Sequence, residues 1–412
     1  MSVALGPDTR VRRVIAALPV AFALSTTPWT ARAQAPEPAT RQAAIEQAQA
    51  EKATDLHPYA PNKGERLAAR LGNVLAGGTP RWHLFLDSAY AGGGFAYGAG
   101  YNHHVSPYNT VDMRGSYTLS GYKRAEVALT APRLFKRRGH LSIIGGWREA
   151  TQVGFYGLGT DTSKDDRRNY GFQQPYAGGV LELQPTRRLL LLRGGVEVSK
   201  WSQQPGTGVA PSVETAYTPA TLPGLGAEPT YVHSQGTVGF DWRTSPGYTR
   251  RGGFYGVTVH DYTDRNKEFG FERIDYEVIQ HVPILREAWA ISLRGLASTA
   301  FEKGDQAIPF FMLPSLGGGS NLRGFSSWRF RDRNSLLLQA EWRIMVNRFL
   351  DTALFYDAGK VTDSKSDLDF EGLKSDYGFA VRFHGPLATL LRAEVARSRE
   401  GTALIFGMGP AF

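Results

Sequence analysis

The chain contains no cysteine in 412 residues, which excludes a disulfide framework and thiolate metal sites. It also lacks long apolar runs. The longest near the N-terminus, Val14–Leu24, is too short to cross a bilayer as a helix, and the mean hydropathy of −0.30 excludes a polytopic helical membrane protein. The formal charge is +9, but no basic cluster alternates with stacking aromatics, so no nucleic-acid partner is expected. Gly317-Gly318-Gly319-Ser320 is followed by neither Gly-Lys-Ser/Thr nor a helix pattern, and it has no Gly-x-Ser-x-Gly frame. A phosphate cradle and a nucleophile turn are therefore both disfavoured. Adjacent strand residues point to opposite sides, so His103 and His104 would not share a metal ion. No catalytic set emerges. The expectation is a non-enzyme with neither metal nor cofactor.

What the chain has in quantity is glycine and aromatic residues: Gly 47, Tyr 18, Phe 22 and Trp 8. From Arg81 to the last residue the pattern is a period-2 alternation in segments of about ten residues. Val111, Met113, Gly115 and Tyr117 alternate with Asp112, Arg114 and Ser116. Ile274, Tyr276 and Val278 alternate with Arg273, Asp275 and Glu277, and Leu336, Leu338, Ala340 and Trp342 with Leu337, Gln339, Glu341 and Arg343. Apolar on one face and charged on the other, at this length, predicts transmembrane barrel strands rather than a soluble sandwich. About sixteen such segments can be counted, an even number as bacterial barrels require. The long connections Glu149–Asn169, Ser202–Pro229, Lys303–Arg333 and Val361–Gly372 all follow odd-numbered segments, whereas turns such as Lys136-Arg137-Arg138 follow even ones. Long loops on one side and tight turns on the other place the long ones outside the cell.

The predicted organisation is a signal peptide over 1–34, a partly helical or disordered periplasmic leader over 35–80, and an outer-membrane β-barrel over 81–412. The signal rests on Arg10, Arg12 and Arg13 before the apolar run and on small-residue cleavage sites at Ala31–Ala35. In the leader, Arg41–Lys52 reads as a short polar helix and Glu65–Leu75 as an amphipathic one. At the other end Leu404, Phe406, Met408, Pro410 and Phe412 alternate, placing the terminal Phe412 in the last strand, at the seam with the first.

Leu322-Arg323-Gly324-Phe325 resembles the motif in the sixth extracellular loop of the bacterial surface antigen family, which includes BamA, TamA and the two-partner-secretion transporters. In that family the motif follows the eleventh strand, as it follows the eleventh segment here. Gln339–Arg343 is similar to the family's twelfth-strand Glu-x-Arg pattern, and Phe355–Gly359 to its thirteenth-strand Phe-x-Asp-x-Gly pattern. Tyr377–Arg382 and Leu391–Glu394 resemble the strands that follow, and Phe406, Met408 and Phe412 the C-terminal β-signal read by the barrel-assembly machinery.

The resemblance implies a single 16-stranded barrel in the outer membrane of a Gram-negative bacterium, with loop six folded inward and Arg323 clamped to Glu341 and Asp357. Arg343, Arg382, Arg392 and Glu394 are supporting lumen charges. On this reading Gly324 turns the loop tip and Phe325 packs against the inner wall. It also implies partners: outer-membrane lipids, the assembly machinery during biogenesis, and an exported protein or lipid as cargo. Family members carry polypeptide-transport-associated domains before the barrel; 35–80 is shorter than one such domain, so a branch lacking them is expected. The implied function is protein or lipid insertion, secretion or envelope assembly. A passive channel lined by Arg114, Arg273, Glu277 and Arg382, and a surface antigen or adhesin, are the alternatives.

Overall fold

The structure, a computed structural model, describes residues 40–55, 80–186, 189–285, 288–385 and 388–412. The expected signal peptide and the expected helix Glu65–Leu75 lie outside these residues. The chain divides into two units, Met1–Asn62 and Lys63–Phe412. The first contains helix α1 (Arg41–Asp55). Its Ala/Gln/Glu-rich sequence has high helix propensity, and the Thr40 hydroxyl caps it by accepting the Ala43 N–H at 3.3 Å. Among the described residues no helix is long and apolar enough to cross a membrane.

The second unit is built on one antiparallel sheet of seventeen strands, with a separate two-stranded sheet. In chain order the strands are β1 (Trp82–Leu84), β2 (Ala96–His104), β3 (Thr110–Thr118), β4 (Lys123–Arg133), β5 (Gly139–Phe155), β6 (Arg168–Leu183), β7 (Leu190–Lys200), β8 (Ser202–Pro205), β9 (Thr230–Asp241) and β10 (Gly252–Asp264). They continue as β11 (Phe271–Ile284), β12 (Trp289–Glu302), β13 (Ser315–Leu316), β14 (Phe330–Arg331), β15 (Asn334–Asn347), β16 (Leu350–Thr362), β17 (Lys374–His384), β18 (Thr389–Ser398) and β19 (Gly401–Gly407). Consecutive strands pair, except that β12 pairs directly with β15 while β13 and β14 pair with each other, and β7 pairs directly with β9 while β8 pairs with β6. The sheet has one strand more than the expected sixteen segments because the start of the expected connection Ser202–Pro229 forms β8, which continues past the buried Trp201 along the same neighbour, β6, that β7 pairs with.

The alternation sorts the side chains by face. Along β16, Leu354 and Tyr356 are exposed while Ala353, Phe355 and Asp357 are buried. Val257, Val259, Tyr276, Val278, Phe379 and Leu391 share the exposed side; Glu341, Arg382 and Glu394 share the buried one. Apolar outside and charged inside inverts the rule for soluble proteins and suits a sheet whose exterior faces lipid.

The long connections gather at one end of the strands. The first is shorter than expected, because the ladder continues to Phe155 and resumes at Arg168. Residues 156–167 then reach β16 and β17: the Thr160 hydroxyl bonds Val361, and Asp161 pairs with Lys374 at 2.7 Å. Beneath them lies an aromatic cluster including Phe155, Tyr170, Phe172, Trp201, Phe310 and Phe311, in which Tyr170 and Phe155 meet Phe310 edge-on at 4.9 and 5.2 Å. Tyr90, before β2, stacks on Trp328 at 4.5 Å.

At the short-turn end, 242–251 also folds onto the charged face. Gly247 O accepts the Thr389 N–H at 2.8 Å, Tyr248 stacks on His384 at 3.8 Å, and Thr249 O accepts from Arg343 Nη1 at 2.7 Å. The last strand ends at Gly407, not at Phe412. Gly409 takes a φ of 78°, Pro410 has no N–H to continue a ladder, and Phe412 leaves the strand to stack against His281 at 6.2 Å. The expected place of Phe412 in the last strand is therefore corrected. Phe406 and Met408 remain exposed on the apolar side.

The first strand is only three residues long. Past Leu84 the chain leaves the ladder and crosses the charged face of β2–β4. Phe85 lies 4.9 Å from the Arg114 guanidinium and 5.5 Å from that of Arg124, and Asp87 pairs with Arg124 at 2.7 Å. The crossing passes so close to β2 that a Cβ on Gly98 would lie 2.2 Å from Phe85 O. Replacing Phe85 with Ala removes both cation–π contacts, together about 2 kcal/mol. We expect chymotryptic cleavage between Leu86 and Tyr90, read by mass spectrometry, to quicken about thirtyfold, with the folded gel mobility retained. Unchanged cleavage would show that the segment is held by its ends alone.

Candidate functional site

The connection between β12 and β15 is held at its base by the β13–β14 pair, with Ser315 opposite Arg331 and Leu316 opposite Phe330. Gly317 reverses the chain at φ 113°, where a Cβ would meet Ser326 O at 2.3 Å. The Gly318 N–H is shared between the carbonyls of Leu322 and Phe325. The glycine run thus specifies a tight knot. Leu316, Leu322, Phe325 and Phe330 bury together against Leu337 of β15 and Val361 of β16, and Phe325 meets Phe330 at 5.2 Å.

This knot drives Arg323 into the charged face, where its side chain is fully buried. Nε and Nη2 donate to the two oxygens of Asp357, both at 2.7 Å, in a fork that matches carboxylate geometry. Nη1 donates to Glu341 Oε1 at 2.6 Å and lies 3.6 Å from Glu394. The guanidinium carbon sits 3.5 Å over the Phe355 ring, a desolvated cation–π contact worth about 2 kcal/mol.

The supporting charges fall into two groups. Arg382 donates to both oxygens of Glu341, at 2.8 and 2.6 Å, and to Glu394 at 3.2 Å. Arg392 donates to Gly319 O at 3.1 Å and lies 3.6 Å from Glu394. Arg343 stands apart from this set, since it pairs with Asp351 at 3.1 Å and holds the 242–251 turn.

Gly324 serves a different purpose from the one expected. Its φ is not among the positive ones; what matters is close approach. A Cβ there would lie 2.5 Å from Asp376 Cβ and 3.1 Å from Ser398 Cβ, and Gly324 O accepts the Ser398 hydroxyl at 2.7 Å. A side chain would push the loop off β17 and β18.

Several participants escaped the sequence reading. Gln339 bridges Asp357 Oδ1 and Asn321 O; Phe355 supports the guanidinium, and Asp376 stands opposite Asp357 in the ladder. Strand parity could have found Gln339 and Phe355, each two residues before a predicted carboxylate. Arg329 and Arg331, both fully buried, were also missed. Arg329 pairs with Glu400 at 2.8 Å and donates to Thr162. Arg331 donates to Phe310 O and to the Tyr170 hydroxyl at 2.8 and 3.1 Å. Their alternate spacing in Arg329-Phe330-Arg331 was the available signal.

Residues 234–412 match the model of the Omp85 superfamily domain. Among solved structures, BamA from Haemophilus ducreyi lacking POTRA domains 1–3 superposes with a TM-score of 0.57 at 14% identity, over 81% of this chain and 69% of that one. CdiB from Acinetobacter baumannii gives a TM-score of 0.51 at 10% identity, over 81% of this chain and 60% of that one. What is shared at these identities is the fold. No curated protein sequence matches the chain. The family resemblance read from the sequence is borne out.

Removing one partner from a buried ion set leaves an uncompensated charge, at a cost of about 3–5 kcal/mol. Arg323→Ala should therefore lower the temperature at which the protein loses its folded gel mobility and expose 317–329 to protease. Arg323→Lys should recover only part, because an ammonium cannot form the fork with Asp357. Wild-type behaviour of the alanine variant in both assays would show that Arg323 holds nothing.

Proposed function

The chain carries an Omp85 superfamily domain, and from that premise we propose that it is a sixteen-stave outer-membrane barrel acting in the insertion or export of protein or lipid. Residues 190–205 count as one stave, since β7 and β8 share the neighbour β6. The charged face is the lumen, the long connections are extracellular, and β12–β15 is the sixth extracellular loop, folded inward. Its cargo crosses or enters the membrane at the seam between the first and last strands.

One observation carries this reading: the last five strands of the sheet are each braced by loop six, whereas the first strand is only three residues long. The loop-six knot touches β15 through Glu341, β16 through Asp357, β17 through Asp376, β18 through Glu394 and Ser398, and β19 through Ile405. On the other side, β1 offers three residues, paired with β2, before its chain turns into the lumen, where Trp328 of loop six meets Tyr90 and Ala91. A wall that is rigid up to its last strand and thinly paired beyond it concentrates opening at one line. BamA and CdiB share the fold.

A passive channel fits less well. The expected lumen charges are neutralised in pairs, Arg114 with Glu126, Arg273 with Asp275, Glu277 with Arg294 and Arg382 with Glu341. The aromatic cluster and the 156–167 crossing cover the extracellular end.

The absence of native cysteine makes a crosslinking test direct. Leu84→Cys would be combined in turn with Thr402→Cys, Leu404→Cys and Phe406→Cys and studied in planar bilayers. We expect brief openings in the reduced protein that oxidation of at least one pair abolishes. Steady conductance indifferent to a formed crosslink would reassign the protein as a passive channel.

A further inference from the structure

The ladder between β17 and β18 ends at Asp376 and Ser398, while β17 continues to Lys374 against β16. The strands part there, and a cavity of about 450 Å³ opens at the rim, lined by Lys374, Ser375, Tyr377, Arg397 and Arg399 among others. Tyr377 and Arg397 are direct cross-strand partners on the apolar side, and both are exposed. Below them on that side come Phe379, Val395 and Leu404, all exposed.

Several basic side chains of this rim have carboxylate partners. Lys123 pairs with Glu149, Lys200 with Glu228, Arg333 with Glu302, and Lys374 itself with Asp161. Arg397 instead donates to the Thr402 hydroxyl at 2.9 Å. Among the described residues neither Arg397 nor Arg399 has a carboxylate within salt-bridge distance. Two guanidiniums that make no salt bridge, flanked by the hydroxyls of Ser375 and Tyr377, offer the kind of donors that phosphate oxygens accept. The apolar strip directly beneath would hold acyl chains attached to that phosphate.

We propose that this notch binds a phosphate monoester group, carried on an outer-leaflet glycolipid rather than free in solution. Arg397 and Arg399 would grip the phosphate while Phe379, Val395 and Leu404 line the acyl chains. The proposal rests on the outer-membrane reading, which sets the apolar strip against lipid. A ligand here would sit on β17 and β18, the strands that hold Asp376, Arg382, Glu394 and Ser398 against loop six, and would anchor the rigid side of the seam to the leaflet.

The test uses the full chain in detergent micelles and native mass spectrometry. The probe is a bis-phosphorylated, acylated glucosamine disaccharide, with its dephosphorylated form and inorganic phosphate as comparison arms. Losing two charge-assisted contacts should weaken binding at least about tenfold, both for Arg397→Ala/Arg399→Ala with the phosphorylated probe and for the wild type with the dephosphorylated one. Lys123→Ala, elsewhere on the rim, should bind normally, and millimolar inorganic phosphate should not displace the lipid. Undiminished binding by the double variant, with folded gel mobility intact, overturns the site. Displacement by inorganic phosphate overturns the lipid carrier. Failure of the wild-type protein to insert into phospholipid vesicles would instead overturn the outer-membrane reading beneath it.

Discussion

Everything in the C-terminal third of this protein depends on a guanidinium that has no access to water. Arg323 reaches Asp357, Glu341 and, more distantly, Glu394 from a loop, and those carboxylates stand on three different strands. Taking such charges out of water costs several kcal/mol each, recovered only when geometry is good and the remaining oxygens are bonded. The surrounding sequence is what supplies that geometry. Gly317 folds the knot, Gly324 lets it lie against β17 and β18, Phe355 backs the cation, Gln339 adds a bond to Asp357, and Arg382 takes up the second oxygen of Glu341. The ion set stabilises the wall only because these neighbours hold it in place.

The same structure shows what such bracing does not cover. Loop six binds the strands from β15 to β19, and a second set, Arg329 with Glu400 and Thr162, ties the loop to the β18–β19 turn and to the 156–167 crossing. The short-turn end is fastened separately through Arg343, Asp351 and the 242–251 turn. Loop six also reaches across the β1–β19 line, where Trp328 stacks on Tyr90 and donates to Ala91 O and Arg331 donates to Tyr170 of β6. Beyond that line, β1 contributes three paired residues, and the chain that follows lies across the charged face on Phe85 and Asp87. Local opening free energies follow the density of such contacts, so the distribution of fastenings is itself a statement about where this sheet yields.

Much of this was legible in the residues, for identifiable reasons. A sheet with one face in lipid and the other lined by charge imposes a strict period of two, so Glu341 and Asp357 could be placed on one face before any fold was known. Loop chemistry was less legible. That Gly324 is needed for approach to Asp376, and not for its own torsion, depends on the distance between two strands distant in sequence. Arg329 and Arg331 looked like solvated loop charges because their partners, Glu400, Thr162 and Tyr170, lie at least 71 residues away. Phe412 was misplaced because alternation continues through Met408 and Pro410, although Pro cannot extend the ladder.

Why the loop is held by ions, rather than by more of the packing that buries Phe325 and Phe330, follows from what each interaction tolerates. Apolar contacts are non-directional and fade gradually as surfaces slide. The Arg323 fork demands two oxygens in one plane at 2.7 Å, and Glu341 on the neighbouring strand must stand in register with it. A shift of β16 against β15 by one residue would turn Asp357 to the lipid side and strand the guanidinium. The constellation is therefore a gauge of register as much as a bond: it is satisfied only when four consecutive strands, β15 to β18, are correctly aligned. In a barrel that opens at one seam, as proposed above, such a gauge on the strands that do not open would keep the remaining wall in its one permitted register.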